Sequence, residues 1–191
     1  MNEDYKICLV SDDLCHIRMV KCGSGTMKGS FHMIPEVYTK EKHGHLKKSI
    51  ILRDPLTRIV SAFYQILKQG WNAIPGKTKK IEKFFKTKSF EDFLEEIENN
   101  GFFNAHLAPQ YLYLEAKNLT LDDIDYIIDF ANFDEVQKIN PNVLIKHFNK
   151  NRNKCKEIDK TIEIALKNKD RIYKLYEKDF LLYENVKSSK T

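Results

Sequence analysis

Short branched runs separated by stretches of helical periodicity mark this chain as alternating strands and helices. Ser49 to Leu52 is a short apolar, branched run suited to a buried strand, and Asp54-Pro55 breaks it and starts a helix. Leu56, Ile59, Val60 and Phe63 then recur at helical spacing, which leaves Arg53 at the strand end and turns Ser61 toward the same pocket. His16 to Val20 reads as a second strand and is followed directly by Lys21-Cys22-Gly23-Ser24-Gly25-Thr26-Met27-Lys28, with a helix starting near Thr26. Lys6 to Val20 also reads as a hairpin with Ser11-Asp12-Asp13 as its turn. Further on, Ser89 and Asp92 have capping-box spacing ahead of the stripe Phe90, Phe93, Leu94 and Ile97, which is core. The pattern predicts a strand at Asp125 to Ile128, a short helix at Pro141 to Phe148, and a helical region over Ile158 to Tyr176 broken near Asn168. Gly70 to Lys80 reads as a surface loop. The expected architecture is an α/β, P-loop-like three-layer fold: a small central parallel sheet flanked by helices, with a helix-rich C-terminal half.

Composition narrows this to one enzyme-sized domain over 1–191. With 191 residues, 42% hydrophobic and 12% aromatic, the chain can bury one substantial core, and no Pro/Gly/Ser-rich linker divides it. A net charge of +5 suits a polyanionic ligand, although lysine-rich solvated faces or weak nucleic-acid binding would give the same balance. The spacing of Cys8, Cys15, Cys22 and Cys155 holds no metal-ligand pair; the hairpin would bring Cys8 near Cys15, and free thiols are the expectation. With no signal peptide and no apolar run of membrane-spanning length, a cytoplasmic protein is expected, a trimmed catalytic domain being the alternative.

Two segments carry chemistry. In KCGSGTMK, the glycines allow close backbone approach to an anion, the loop amides donate to it, and Lys21 adds a point charge. Arg53 offers a planar fork and Ser61 a hydroxyl, the means of holding a second phosphate. The loop lacks the Gly-Lys-Ser/Thr of nucleoside-triphosphate sites, which argues against a magnesium-dependent phosphotransferase.

KCGSGTMK and ILRDPLTRIVSAF together resemble the two cofactor motifs of sulfotransferases that use 3′-phosphoadenosine 5′-phosphosulfate (PAPS). FNAHLAPQ (103–110), DIDYIIDFANFDE (123–135) and IYKLYEKDFLLYENV (172–186) are similar, in the family's order, to segments of its carbohydrate branch, the chondroitin, dermatan and HNK-1 type enzymes. The resemblance implies Lys21 to Met27 for the 5′ end of the cofactor, Arg53 and Ser61 for its 3′-phosphate, and a hydroxyl-bearing saccharide acceptor. It departs at Gly25, where a second hydroxyl residue is usual, at Leu107 in place of tryptophan, at Ala108 in place of a polar residue, and at Phe130-Ala131-Asn132, which lacks a glutamate.

Sulfuryl transfer requires a stabiliser for the leaving oxygen, which Lys21 suits, and a base for the acceptor hydroxyl. His106 is the candidate base, with His43 and His45 in KHGHLKK as alternatives. Gln110 reads as a hydrogen-bond partner for an acceptor sugar or for His106. Arg58 supports the loop or pairs with a carboxylate; Lys150, Arg152, Lys154 and Lys156 form a basic stretch that closes over the 3′-phosphate, guides an anionic acceptor or is simply solvated. No third or fourth ligand is spaced with His43-Gly44-His45, so no metal is expected. A non-catalytic basic nucleotide- or glycan-binding module is the remaining class.

Overall fold

The computed structural model describes residues 3–69, 89–102, 105–139, 141 and 156–188. The predicted surface loop at 70–80, the helix beyond Pro141 and the basic stretch at Lys150, Arg152 and Lys154 lie outside the described residues. Strand β1 (Ile7–Val10) returns as β2 (Leu14–Ile17) through a turn closed by the Ser11 amide on the Leu14 carbonyl at 3.0 Å. The pair is antiparallel, with Cys8 opposite Ile17 and Cys15 opposite Val10. This register makes Cys8 and Cys15 diagonal neighbours on one face, where both remain buried free thiols.

β3 (Ile34–Val37) pairs antiparallel with β1, whereas β4 (Lys47–Leu52) runs parallel to β2 and β5 (Tyr126–Asp129) parallel to β4. The five-stranded order is β3-β1-β2-β4-β5. The expected parallel sheet is therefore its β2-β4-β5 half, and the hairpin and β3 extend it with an antiparallel half. Residue chemistry assigns these places: Leu14 to Ile17 is buried throughout and Lys48 to Leu52 likewise, as interior strands require, whereas Ile34, Pro35 and Val37 on the edge are exposed.

Helix α1 (Ser24–Ser30) follows β2, α2 (Lys40–His43) precedes β4, and α3 (Pro55–Gln69) follows it. The C-terminal half adds α4 (Phe90–Asn100), α5 (Tyr111–Glu115), α6 (Lys156–Lys167) and α7 (Lys169–Ser188). The break between α6 and α7 falls at Asn168, as the sequence indicates. The Ser89 capping box is present, with the Asp92 carboxylate and the Ser89 hydroxyl each accepting the other's backbone amide.

Two cores result. One lies on the sheet, joining Ile17, Ile50, Leu52 and Ile128 to Met27, Tyr113 and the end of α7. The other is helical, packing Ile59, Val60 and Phe63 of α3 against Phe90, Phe93 and Ile97 of α4 and against Ile172, Tyr176 and Phe180 of α7.

Between β2 and β4, His16 is buried opposite Ser49, its Nδ1 3.1 Å from the hydroxyl. Burial, reinforced by Lys117, pushes its pKa down to about 3 from 6.5. The unfolded chain therefore binds a proton that the folded chain refuses, so stability is intact above pH 6.5 and falls as pH drops toward about 3. The loss is about 1.4 kcal/mol per pH unit for such a histidine. Urea denaturation between pH 7 and 4 should show this slope, and His16→Asn should flatten it. An unchanged slope in the variant would place the acid sensitivity elsewhere.

Candidate active site

The parallel half of the sheet delivers three segments to one end. β2 leads to the Lys21 loop, β4 to Arg53 and β5 to Phe130; the carboxyl ends of parallel strands are where open α/β sheets bind ligands.

β2 ends at Ile17, short of the expected Val20, because its pairing with β4 stops at His16 and the chain then turns, the Cys22 amide bonding the Met19 carbonyl at 3.3 Å. Lys21 (φ 69°) and Gly23 (φ 79°) both adopt left-handed backbone. Gly23 tolerates this, whereas Lys21 is held there against its steric preference. A Cβ on Gly23 would stand 2.5 Å from Phe133 Cε2, so a side chain there would have to displace that ring as well as adopt a left-handed backbone. The turn starts α1 at Ser24 instead of Thr26 and leaves the Ser24 and Gly25 amides without partners inside the helix. Nothing lies within 4 Å of a Cβ built on Gly25, so the loop is open there. The Cys22 and Met27 side chains, by contrast, point into the core. Of the segment Lys21 to Met27, these two offer a ligand only their backbone.

Lys21 Nζ donates to Gln65 Oε1 at 3.2 Å and pairs with no carboxylate among the described residues. Burial, then Arg53 and Arg58, lower its pKa to about 8. Arg53 reaches the same loop: Nη1 donates to the Lys21 carbonyl at 3.2 Å, Nε to Thr57 Oγ1 at 3.4 Å, and the guanidinium lies 4.6 Å from the centre of the Phe130 ring. It forms no pair with Asp54, whose carboxylate instead accepts the Thr57 amide and starts α3. Thr57, Ser61 and Gln65, four apart, share one helix face, so Ser61 stands between a residue that touches Arg53 and one that touches Lys21. The hydroxyls of Ser24, Thr26 and Ser61 have no hydrogen-bond partner among the described residues.

Arg58 supports the loop and does not face it. Fully buried, it donates through Nε to the Val20 carbonyl at 3.3 Å and through Nη2 to the Ala108 carbonyl at 2.6 Å. The latter bond fixes the turn that carries His106, which is half-buried; burial, then Lys21, Arg58 and Arg18, lower its pKa to about 4. Asn104 and Phe103 lie outside the described residues.

His43 and His45 do not reach this end. They precede the first residue of β4 while Arg53 follows its last, and six residues of strand span roughly 20 Å. His43 is also consumed structurally, its Nε2 3.1 Å from a Glu36 carboxylate oxygen and its ring stacked on Tyr38. Gln110 likewise departs from expectation: it is fully buried and engages neither an open cleft nor His106. Its amide brackets the Arg53 backbone, accepting from the Arg53 N–H at 2.9 Å and donating to the Arg53 carbonyl at 2.8 Å. Sequence reasoning missed this, along with Thr57, Gln65 and Phe130. Thr57 and Gln65 were legible from their four-residue steps around Ser61, whereas no local signal marks Gln110 or Phe130.

Lys21, Arg53 and the open start of α1 thus meet at the carboxyl ends of β2 and β4, an arrangement of cations and amides chemically suited to anionic groups. A family model described as the sulfotransferase family matches residues 16–184, from β2 through most of α7. The chain belongs to the sulfotransferase family. Its chemistry is therefore transfer of a sulfuryl group, and a hydroxyl-bearing acceptor is implied in general terms. No curated protein matches the chain, and no solved structure does. Among the described residues no helix is long and apolar enough to cross a membrane, and no cluster of three His, Cys, Asp or Glu could hold a metal ion.

Proposed function

We propose that the chain transfers a sulfuryl group from PAPS to a hydroxyl of a carbohydrate or glycosylated acceptor. The observation that carries this reading is the Arg53 bond to the Lys21 carbonyl, which unites two cationic segments into one receptor for the two phosphate-bearing ends of a nucleotide. The open loop around Ser24, Gly25 and Thr26 takes the 5′ end, with Lys21 nearest the bond to be broken; Arg53 and Ser61 take the 3′-phosphate. His106 accepts the acceptor's proton as its oxygen bonds sulfur, and the Lys21 ammonium stabilises the charge left on the departing phosphate oxygen. PAPS supplies the activated sulfuryl group, and no metal takes part. The acceptor's carbohydrate nature is supported by the similarity of 103–110 and 123–135 to the carbohydrate branch.

Thermal shift checks the donor assignment. Adenosine 3′,5′-bisphosphate, without metal, should raise the melting temperature several degrees more than adenosine 5′-phosphate at equal concentration. Equal shifts would remove the 3′-phosphate role from Arg53 and Ser61.

A further inference from the structure

We propose that Gln110 is a positioning residue that fixes the separation between the two anion subsites, and that Cys22 is its partner on the loop side. The inference rests on the reading that the Lys21 loop and Arg53 hold opposite ends of one bisphosphate nucleotide. A single atom, Gln110 Oε1, accepts from the Arg53 backbone N–H at 2.9 Å and from the Cys22 thiol at 3.1 Å. One half of the receptor is thus joined to the other through one buried oxygen. Gln110 Nε2 completes the bracket on the Arg53 carbonyl at 2.8 Å. The glutamine is itself anchored: Asp179 accepts its backbone amide at 2.7 Å and that of Tyr111 at 3.0 Å, joining the bracket to α7.

Both Gln110 and Cys22 are buried, 0% and 1% exposed, so neither touches a ligand and each acts only through the backbone it holds. A neutral amide suits the task. It donates and accepts at once, meeting both backbone groups of Arg53, and places no carboxylate charge beneath an anion site.

The consequence is specific to ligands that engage both ends. A bisphosphate gains affinity over either monophosphate only when its second group meets a site already at the right distance, and a loosened spacing reduces that advantage while leaving each subsite intact. A residue that merely stabilised the fold would weaken all ligands alike.

Calorimetric dissociation constants for adenosine 3′,5′-bisphosphate, adenosine 5′-phosphate and adenosine 3′-phosphate test this in wild type, Gln110→Met, Cys22→Ala and Arg53→Ala. Gln110→Met should reduce the bisphosphate's advantage about tenfold or more with both monophosphates unchanged, and Cys22→Ala, which removes the thiol's bonds to Gln110 and to the Val20 carbonyl but leaves the Arg53 bracket, about threefold. If Gln110→Met does not fold, Cys22→Ala decides alone. Equal losses for all three nucleotides, or an undiminished advantage in both variants while Arg53→Ala abolishes it, would overturn the positioning role. An advantage that survives Arg53→Ala would instead overturn the 3′-phosphate assignment, and the inference with it.

Discussion

Replacing Lys21 by methionine is expected to lower turnover on the order of 10²–10³-fold while raising the melting temperature of the ligand-free protein at neutral pH. The two effects have one cause. Burial and the neighbouring Arg53 and Arg58 disfavour the ammonium, and among the described residues no carboxylate pairs with it. The folded pKa of about 8 lies below the unfolded value of 10.5, so the charged lysine opposes folding fully below pH 8, and stability recovers as pH rises between the two. Methionine keeps the stem and removes the charge. The same ammonium becomes favourable only when negative charge develops beside it, which is why turnover suffers more than nucleotide binding. Bisphosphate affinity should also decline above pH 8 in wild type and stay flat in Lys21→Met, by calorimetry. Retained turnover in a folded Lys21→Met would remove the lysine from the chemistry, and an unchanged or lower melting temperature would contradict the electrostatic account.

The second large effect concerns the base. His106→Ala should lose about a hundredfold or more in kcat with bisphosphate affinity preserved, whereas His45→Ala, at the far end of β4, should retain full rate. Because burial and the cations depress His106, the acid limb of kcat/KM should fall near pH 4 in the free enzyme, well below an ordinary histidine. The limb of kcat should lie higher. A bound polyanion offsets Lys21 and Arg58, the charges that lower the imidazole's proton affinity. A His106→Ala variant near full activity, or an acid limb that survives it unaltered, would reduce His106 to a structural role. On the proposed reading, the low pKa leaves the imidazole neutral at physiological pH and a bound anion would make it a stronger base.

The two halves of the site differed in how far the sequence exposed them. Lys21, Gly23 and Arg53 were legible because each closely follows a branched apolar run, Arg53 directly after β4 and the other two in the turn beyond β2, and such signals lie in residues adjacent in the chain. Cys22 and Met27 were read as part of the loop without distinguishing backbone from side chain, since a loop's inward positions look no different in one dimension from its outward ones. His43 and His45 stood as alternatives to His106, and no local signal said at which end of β4 they lie. Being just ahead of β4 places them at its amino end, opposite Arg53, whereas β2 and β4 run parallel and deliver Lys21 and Arg53 beyond their carboxyl ends.

By itself the sequence determined the alternation of strands and helices, the glycine turn ahead of α1, the Ser89 cap, the break at Asn168 and the pair of cationic segments. Each of these arises from residues within a few positions of one another, where periodicity, capping and glycine conformation act. Only the tertiary structure decided that Gln110 brackets Arg53, that the buried Arg58 ties Val20 to Ala108, that Gly23 lies against the Phe133 ring, and that Arg53 reaches the Lys21 carbonyl. Those contacts join segments far apart in the chain, and their strength comes from burial, which excludes water and makes each hydrogen bond or charge depend on neighbours that no local pattern names.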